Sequence, residues 1–225
     1  MISLTYFVSL HRKLILMQDL KETTCHRAVL RERIMDTAMM AFSERGVKAV
    51  KMDDIAAMLG ISKRTLYEIF EDKETLLFQG VVKLDRQRQE HLFDYAEQGH
   101  HVIDIIMEAC RIKVAEMRSV NAVFYEDIMK YPQVEAYVRN EHERALADFL
   151  KFMQRGVDEG YLRPDINYDL IPHILDAFAL YVKSNKLIRK YSIEDIFRNM
   201  LLVALRGICT AKGVEAVDEA VAKIL

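Results

Sequence analysis

The sequence predicts an all-α protein, and three observations support that fold class. Only eight glycines and three prolines interrupt 225 residues, so few positions break a regular helix. Hydrophobic residues make up 51% of the chain and charged residues 29%, which supplies enough apolar material for a core and excludes a disordered chain. Apolar residues also recur at the spacing of a helical face along most of the chain.

The first helix is predicted over residues 28–45. Ile34, Ala38 and Phe42 share one face of this segment, as expected for a helix that covers a core. Gly46 follows directly and suits the left-handed position that ends many helices.

Residues 1–25 are predicted to be an N-terminal extension. Their first apolar run precedes its charged residues and no small-residue cleavage site follows, which is the reverse of a secretory signal. Three explanations stay open. In the first, translation starts at Met17 and the upstream residues are disordered or not native. In the second, the segment prolongs the first helix. In the third, it is a targeting segment.

Two short helices joined by a three-residue turn are predicted between Asp53 and Phe70. Gly60 ends the first helix, and the hydroxyl of Ser62 can accept from the free N–H groups of the second, over residues 63–70. This arrangement is typical of a helix-turn-helix. Small and apolar side chains fix the crossing of the two helices: Ala56, Ala57, Ile61, Leu66 and Phe70.

The outer side of the second short helix carries hydrogen-bond donors at its amino end. Lysine and arginine can reach phosphate or the edge of guanine, and threonine and tyrosine can bond phosphate or contact a thymine methyl. A helix of this kind suits entry into a major groove; a merely solvated charged face is the alternative. Glu68 would be repelled by phosphate unless it accepts from cytosine, and it receives no role. The residues predicted to contact DNA are Lys51, Ser62, Lys63, Arg64, Thr65, Tyr67 and Lys73.

This segment, together with the helix before it, resembles the TetR family of bacterial transcriptional regulators. The chain departs from the family at Lys51, where a serine or threonine usually caps the helix. The negative charges of Asp53 and Asp54 can instead interact favourably with the positive end of the helix dipole. That departure puts a hydroxyl-to-phosphate contact at position 51 in doubt. The matching residues are Ala41, Phe42, Gly46, Asp54, Ile55, Ala56, Gly60, Ile61, Ser62, Lys63, Thr65, Leu66, Tyr67, Phe70, Lys73, Glu74, Leu76 and Leu77.

The resemblance implies an N-terminal three-helix DNA-binding domain over residues 26–73. A larger helical domain over residues 74–225 would then sense a small-molecule effector and form the homodimer. Its last two long helices are predicted to pair across the two-fold axis, and their apolar residues exceed one stripe, which requires burial on two sides. A central core helix is the alternative explanation. Helices of the larger domain are predicted at 73–98, 102–120, 121–131, 132–156, 167–189, 192–211 and 214–225.

A pocket for a largely apolar effector is predicted among the middle and late helices. Flexible methionine and aromatic side chains are typical of such pockets, and burial in a core is the alternative for each of them. The predicted ligand-binding residues are Met107, Cys110, Phe124, Tyr125 and Phe178.

Other chemistry lacks support in the sequence. The three cysteines form no CxxC pair, so neither a disulfide framework nor a zinc site is predicted, and the compartment is expected to be a reducing cytoplasm. No metal site, catalytic motif, cofactor-binding motif or membrane span is recognised. Residues 1–73 carry two more cations than anions, and the net charge of the whole chain is −2.

The sequence therefore predicts a homodimeric, ligand-responsive repressor that binds a palindromic operator in double-stranded DNA and carries no enzyme activity. Two alternatives remain. One is an all-helical enzyme that depends on a metal or small molecule and has an incidental helix-turn-helix. The other is an adaptor whose N-terminal helices bind protein.

Overall fold

The computed structural model describes residues 18–224, except for the side chains of 18–26, 122, 142–147, 183, 223 and 224. Within those residues the fold is all-α, as predicted, and contains no strand. Two 3₁₀ turns cover Tyr168–Leu170 and Leu187–Arg189, and a π-helical segment covers Phe197–Leu201. The α-helices are α1 (Gln18–Arg45), α2 (Met52–Leu59), α3 (Lys63–Ile69), α4 (Lys73–Glu97), α5 (Val102–Ser119), α6 (Ala122–Ile128), α7 (Pro132–Asp158), α8 (Ile171–Ser184), α9 (Ile193–Ile196), α10 (Leu202–Ile208) and α11 (Ala211–Ile224).

Helix α1 begins ten residues before the predicted start. Residues 18–27 contain neither glycine nor proline, so nothing in the sequence interrupts the helix there. The last part of the predicted extension, residues 18–25, is therefore helical. The remainder of that prediction, residues 1–17, lies outside the described residues.

A first core joins the N-terminal helices to the middle of the chain. Phe42 on α1, Leu66 on α3 and Leu76 on α4 are fully buried in it. Phe124 from α6 and Val134 from α7 complete the same cluster. The predicted N-terminal domain thus shares its core with three later helices, α4, α6 and α7.

A second core lies between α5, α7, α10 and α11. Met107, Met153 and Leu202 are among its buried residues. The loop after α7 is bound to the start of α11, because the N–H of Thr210 donates to the carbonyl of Tyr161 at 3.0 Å. These contacts fix the C-terminal helix on the larger part of the protein.

The two late helices predicted over 167–189 and 192–211 are shorter than expected. The first is divided into a 3₁₀ turn, α8 and a second 3₁₀ turn, and the break after α8 lies at Lys186, which adopts a left-handed conformation with φ 51°. The second helix contains the π-helical segment and ends at Ile208, where Cys209 becomes extended. The side chains of Leu180 on α8 and Val203 on α10 stay 64% and 61% exposed.

Candidate DNA-binding surface

The N-terminus of α2 is capped by a carboxylate. The backbone N–H of Lys51 donates to Oδ2 of Asp54 at 2.8 Å, and Asp53 and Asp54 place two negative charges in the first turn. The dipole compensation predicted for these aspartates is consistent with this geometry. The ammonium of Lys51 is free of any cap contact, and its DNA contact stays a prediction.

The turn between α2 and α3 has the predicted chemistry. Gly60 takes φ 66°, and the N–H of Ile61 bonds back to the carbonyl of Ala56 at 3.1 Å. The hydroxyl of Ser62 then accepts from the backbone N–H of Thr65 at 3.0 Å and caps α3. The turn therefore sets the angle between the two helices through Gly60 at the end of α2 and Ser62 at the start of α3.

The inner and outer faces of α3 are separated. Leu66 is fully buried and Phe70, which follows the helix, is 1% exposed. Tyr67 is 49% exposed, and the side chain of Arg64, on the side of the helix opposite Leu66, is 89% exposed. Of the predicted contact residues at α3, four are exposed and Thr65 is half-buried. We call these five residues the α3 face: Ser62, Lys63, Arg64, Thr65 and Tyr67.

Both cations of the α3 face have carboxylate partners. Lys63 forms an ion pair with Asp53 of α2, and Nε of Arg64 lies 2.8 Å from Oε1 of Glu68. These hydrogen bonds raise the pKa of Lys63 and of Arg64, so both stay charged. Glu68, which had no role in the sequence prediction, is the internal partner of Arg64.

Lys73 faces the interior more than the sequence suggests. Its ammonium donates to the carbonyls of Val47 and Val50 at 2.9 and 3.0 Å. Burial lowers the pKa of Lys73, and the nearby charge of Asp127 opposes that shift. Two of its three N–H donors are used inside the protein, and the predicted phosphate contact stays a prediction for the third.

Two arginines of α1, missed by the sequence analysis, hold the carboxyl end of α3. Arg27 donates to the carbonyl of Glu68 at 2.8 Å, and Arg31 donates to that of Ile69 at 3.2 Å. The guanidinium of Arg31 also lies 4.6 Å from the centroid of the Phe70 ring. Their spacing of four residues on one helix face is the signal that could have revealed them.

Comparison with known proteins decides the family. The family model described as "Bacterial regulatory proteins, tetR family" matches residues 34–79, which run from α1 into α4. The transcriptional regulator UidR of Escherichia coli K12 is 28% identical over 184 residues, covering 80% of this chain and 93% of UidR. The transcriptional repressor KstR2 of Mycolicibacterium smegmatis is 28% identical over 202 residues, covering 85% of this chain and 97% of KstR2. The chain belongs to the TetR family of transcriptional regulators.

Solved structures show the same fold as this TetR-family regulator. A transcriptional regulator from Saccharomonospora viridis, crystallised in complex with choline, aligns with a TM-score of 0.65 at 17% identity, over 81% of this chain and 99% of that one. KstR2 of Mycobacterium tuberculosis, a ketosteroid transcriptional regulator, aligns with a TM-score of 0.53 at 21% identity, over 80% and 95%. Both share the N-terminal helix-turn-helix and the helical C-terminal part.

The predicted effector contacts of this TetR-family regulator are distributed over different parts of the fold. Met107 and Cys110 pack in the second core, whereas Phe124 and Tyr125 pack in the first. Phe178 is half-buried on α8. Burial raises the pKa of the Cys110 thiol to about 12, so that group is neutral. The structure therefore does not bring the five residues into one pocket.

An open depression of 580 Å³ lies on α4 and is lined by Gln89, Glu90, Phe93 and Asp94. None of the predicted effector contacts borders it. Among the residues with described side chains, no group of three or more histidine, cysteine or acidic residues could hold a metal ion. No described helix is long and apolar enough to cross a membrane.

Proposed function

We propose that this regulator is a repressor that binds a palindromic operator as a homodimer and is released by a small-molecule effector. The observation that carries the proposal is the α3 face, where Arg64 and Tyr67 project into solvent from a helix whose other side is buried. Such a helix can enter a major groove amino end first, as in other helix-turn-helix proteins. In this proposal the chain is not an enzyme, and it acts in the cytoplasm on chromosomal DNA.

Each residue of the α3 face has a proposed role. Ser62 and Thr65, whose hydroxyls lie 2.8 Å apart, would bond a phosphate at the amino end of the helix. Lys63 and Arg64 would exchange their carboxylate partners for phosphate or a guanine edge. Tyr67 would contact phosphate or a thymine methyl.

The apolar surface of α8 and α10 supports the homodimer. Leu180, Tyr181 and Val203 are between 57% and 64% exposed, and Ile174 on the same helix as Leu180 is 43% exposed. A surface of this kind is typical of a contact with another chain. Two copies related by a two-fold axis would place their α3 helices in successive major grooves, with half-sites about 34–36 Å or a multiple apart.

The effector is proposed to be small and largely apolar. Met107 and Cys110 in the second core are the predicted contacts that best fit this proposal, because both lie on α5 and face apolar neighbours. Two proteins of the same fold support a small organic effector, since one is named a ketosteroid regulator and the other was crystallised with choline.

The test of the proposal is selection of double-stranded DNA from a random pool, followed by titration at fixed salt. We expect a palindrome to be recovered and Tyr67→Ala to weaken its binding about tenfold or more, with an unchanged melting temperature. Phe93→Ala, which removes another exposed aromatic ring away from α3, is the matched control and should bind as the wild type does. Recovery of no palindrome, or a monomer in solution, would contradict the proposal, and bound iron in the purified protein would favour an enzyme.

A further inference from the structure

The carboxylate of Asp127 on α6 lies against the segment between α1 and α2. Only 2% of its surface is exposed, and no other charged side chain in the described part of the protein is buried. Its Oδ2 accepts from the backbone N–H of Lys48 at 3.1 Å, and its Oδ1 accepts from Nζ of Lys130 at 3.0 Å. Burial of a charge is costly, so a carboxylate at this position requires such partners.

Asp127 stays ionised. Burial opposes the charge, but the hydrogen bond from the Lys48 amide and the bond and charge of Lys130 outweigh burial and hold the pKa of Asp127 below its ordinary value. The Lys48 amide therefore donates to a charged acceptor. Such a bond is roughly twice as strong as one between neutral groups.

Further contacts bind the same segment to α6. The N–H of Asn121, which caps α6, donates to the carbonyl of Ser43 at 2.8 Å, and its side-chain amide donates to that of Glu44 at 3.2 Å. At Gly46, with φ 81°, a Cβ atom would lie 2.8 Å from Cγ1 of Val123. We call this set of contacts the α6 junction: Ser43, Glu44, Gly46, Lys48, Asn121, Val123 and Asp127.

The segment held by the α6 junction also determines where α3 lies. It leads directly into α2, and α2 sets the position of α3 through the turn at Gly60. Lys73 at the start of α4 binds the carbonyls of Val47 and Val50 from the other side. The segment is therefore fixed between Lys73 and Asp127.

Helix α6 also connects the two cores. It follows α5 and precedes α7, both of which contribute buried residues to the second core, such as Met107 and Met153. A displacement of α5 or α7 must therefore reach α6. The contacts of α6 with the end of α1 offer a physical route from that displacement to the DNA-binding helices.

We infer that Asp127 is a positioning residue for operator recognition: through the α6 junction it fixes the orientation of α3 relative to the larger part of the chain. The inference rests on the proposed operator binding. Asp127 itself touches no DNA. Its role is to keep the two α3 helices of a dimer at one separation and one angle.

The first test measures hydrogen exchange in the full-length protein without DNA. Asp127→Asn keeps the size of the side chain and removes its charge, so backbone amides of residues 46–50 should exchange about tenfold faster than in the wild type. Amides of α11 should be unchanged. The matched control is Glu126→Gln, an exposed carboxylate on the same helix, which should leave residues 46–50 protected. Unchanged exchange in Asp127→Asn would overturn the inference.

The second test compares the operator obtained by selection with a copy that has one base pair added between its half-sites. The insertion rotates one half-site by about 34°, so the wild type should lose most of its affinity. Asp127→Asn should show a ratio of the two affinities at least threefold smaller, because its α3 helices are held less firmly, whereas Glu126→Gln should match the wild type. A merely stabilising role would lower the melting temperature and leave this ratio unchanged, which would refute the inference.

A second variant keeps the inference testable if Asp127→Asn does not fold. Asn121→Ser keeps a capping oxygen for α6 and loses only the amide donor to Glu44, so it leaves no buried group without a partner. It should change the amide exchange and the affinity ratio in the same direction as Asp127→Asn does, by a smaller factor. If the wild type binds no duplex, the proposed function fails, whereas the exchange experiment still reports on the junction. If the wild type binds and both variants keep its spacing preference, the junction does not position α3.

Discussion

Replacing Glu68 with glutamine should strengthen operator binding. In the structure Glu68 holds Arg64 in an ion pair of 2.8 Å on the α3 face. DNA binding must break this pair before Arg64 can reach a phosphate or a base, and the released carboxylate then lies near the phosphates. Glu68→Gln removes both penalties while keeping a side chain of similar size.

The exposure of the pair sets the size of the effect. The side chains of Arg64 and Glu68 are 89% and 57% exposed, so water already screens their attraction. Exposed pairs four residues apart on a helix are weak, and repulsion between a surface carboxylate and phosphate is similarly screened. Together they predict a rise in operator affinity of roughly two- to fivefold.

The assay is a fluorescence-anisotropy titration of labelled operator with the full-length protein at several salt concentrations. The advantage of Glu68→Gln should shrink between about 50 and 300 mM salt, because screening weakens both penalties. Glu97→Gln, which removes an exposed carboxylate at the end of α4 away from the helix-turn-helix, is the matched control and should bind nearly as the wild type does.

Two results would refute the reasoning. An affinity that does not change in Glu68→Gln would mean that Arg64 does not leave Glu68 on binding, or that α3 does not face DNA. A lower affinity, with a relaxed preference at one base pair, would mean that Glu68 accepts a hydrogen bond from cytosine.

Three further predictions concern stability, each measured by urea unfolding. Ser62→Ala removes the cap of α3 and should lower the free energy of unfolding by about 1 kcal/mol, and an unchanged value would show that the cap is not needed. Gly213→Ala should cost about 2 kcal/mol, because the new methyl group collides with the carbonyl oxygen of Tyr161; a gain in stability, as expected from helix propensity alone, would contradict the close contact. Glu108 has a pKa of about 2, chiefly because of its hydrogen bond from Arg111, so its contribution is complete above its ordinary value of 4.5 and is lost as the pH falls through about 2. Glu108→Gln should therefore cost about 1 kcal/mol at pH 7 and progressively less below about pH 4.5, with only a small part of that cost left at about pH 2. A cost that does not vary with pH would exclude the charge as its source.

Helix ends were predictable wherever the sequence carries strong local signals. Gly46 and Gly60 both adopt positive φ values and end α1 and α2 where expected, and Pro132 opens α7. The cap of α3 by Ser62 was also predicted correctly. These features depend on a few neighbouring residues, which is why one sequence suffices to find them.

The break near Lys186 was not predictable from such signals. Lys186 is neither glycine nor asparagine, and no proline lies near it, so the local sequence does not predict its left-handed conformation. The distribution of the predicted effector residues over two cores was unpredictable for a related reason. Periodicity identifies the apolar face of a helix but not the face it packs against, and Phe124 belongs to the first core whereas Met107 belongs to the second.

Contacts between segments that are distant in the sequence were also not predictable. Asp127 and Lys48 are 79 residues apart, and Lys73 and Val47 are 26 apart. A carboxylate on the same helix face as the buried Phe124 was a signal for Asp127, because a charge at such a position requires a partner. Its partner could be found only from the fold.

The pairing of Lys63 with Asp53 and of Arg64 with Glu68 bears on specificity as well as affinity. Non-specific binding to DNA is almost entirely electrostatic, and here a phosphate contact by Lys63 or Arg64 must replace an existing ion pair. Tyr67 has no such competitor, so contacts with bases add to operator binding without this cost. The pairs therefore lower affinity for random duplex at least as much as affinity for the operator. It follows that Glu68→Gln should bind random duplex more tightly by the same factor or a larger one, and that its ratio of specific to non-specific affinity should not exceed that of the wild type.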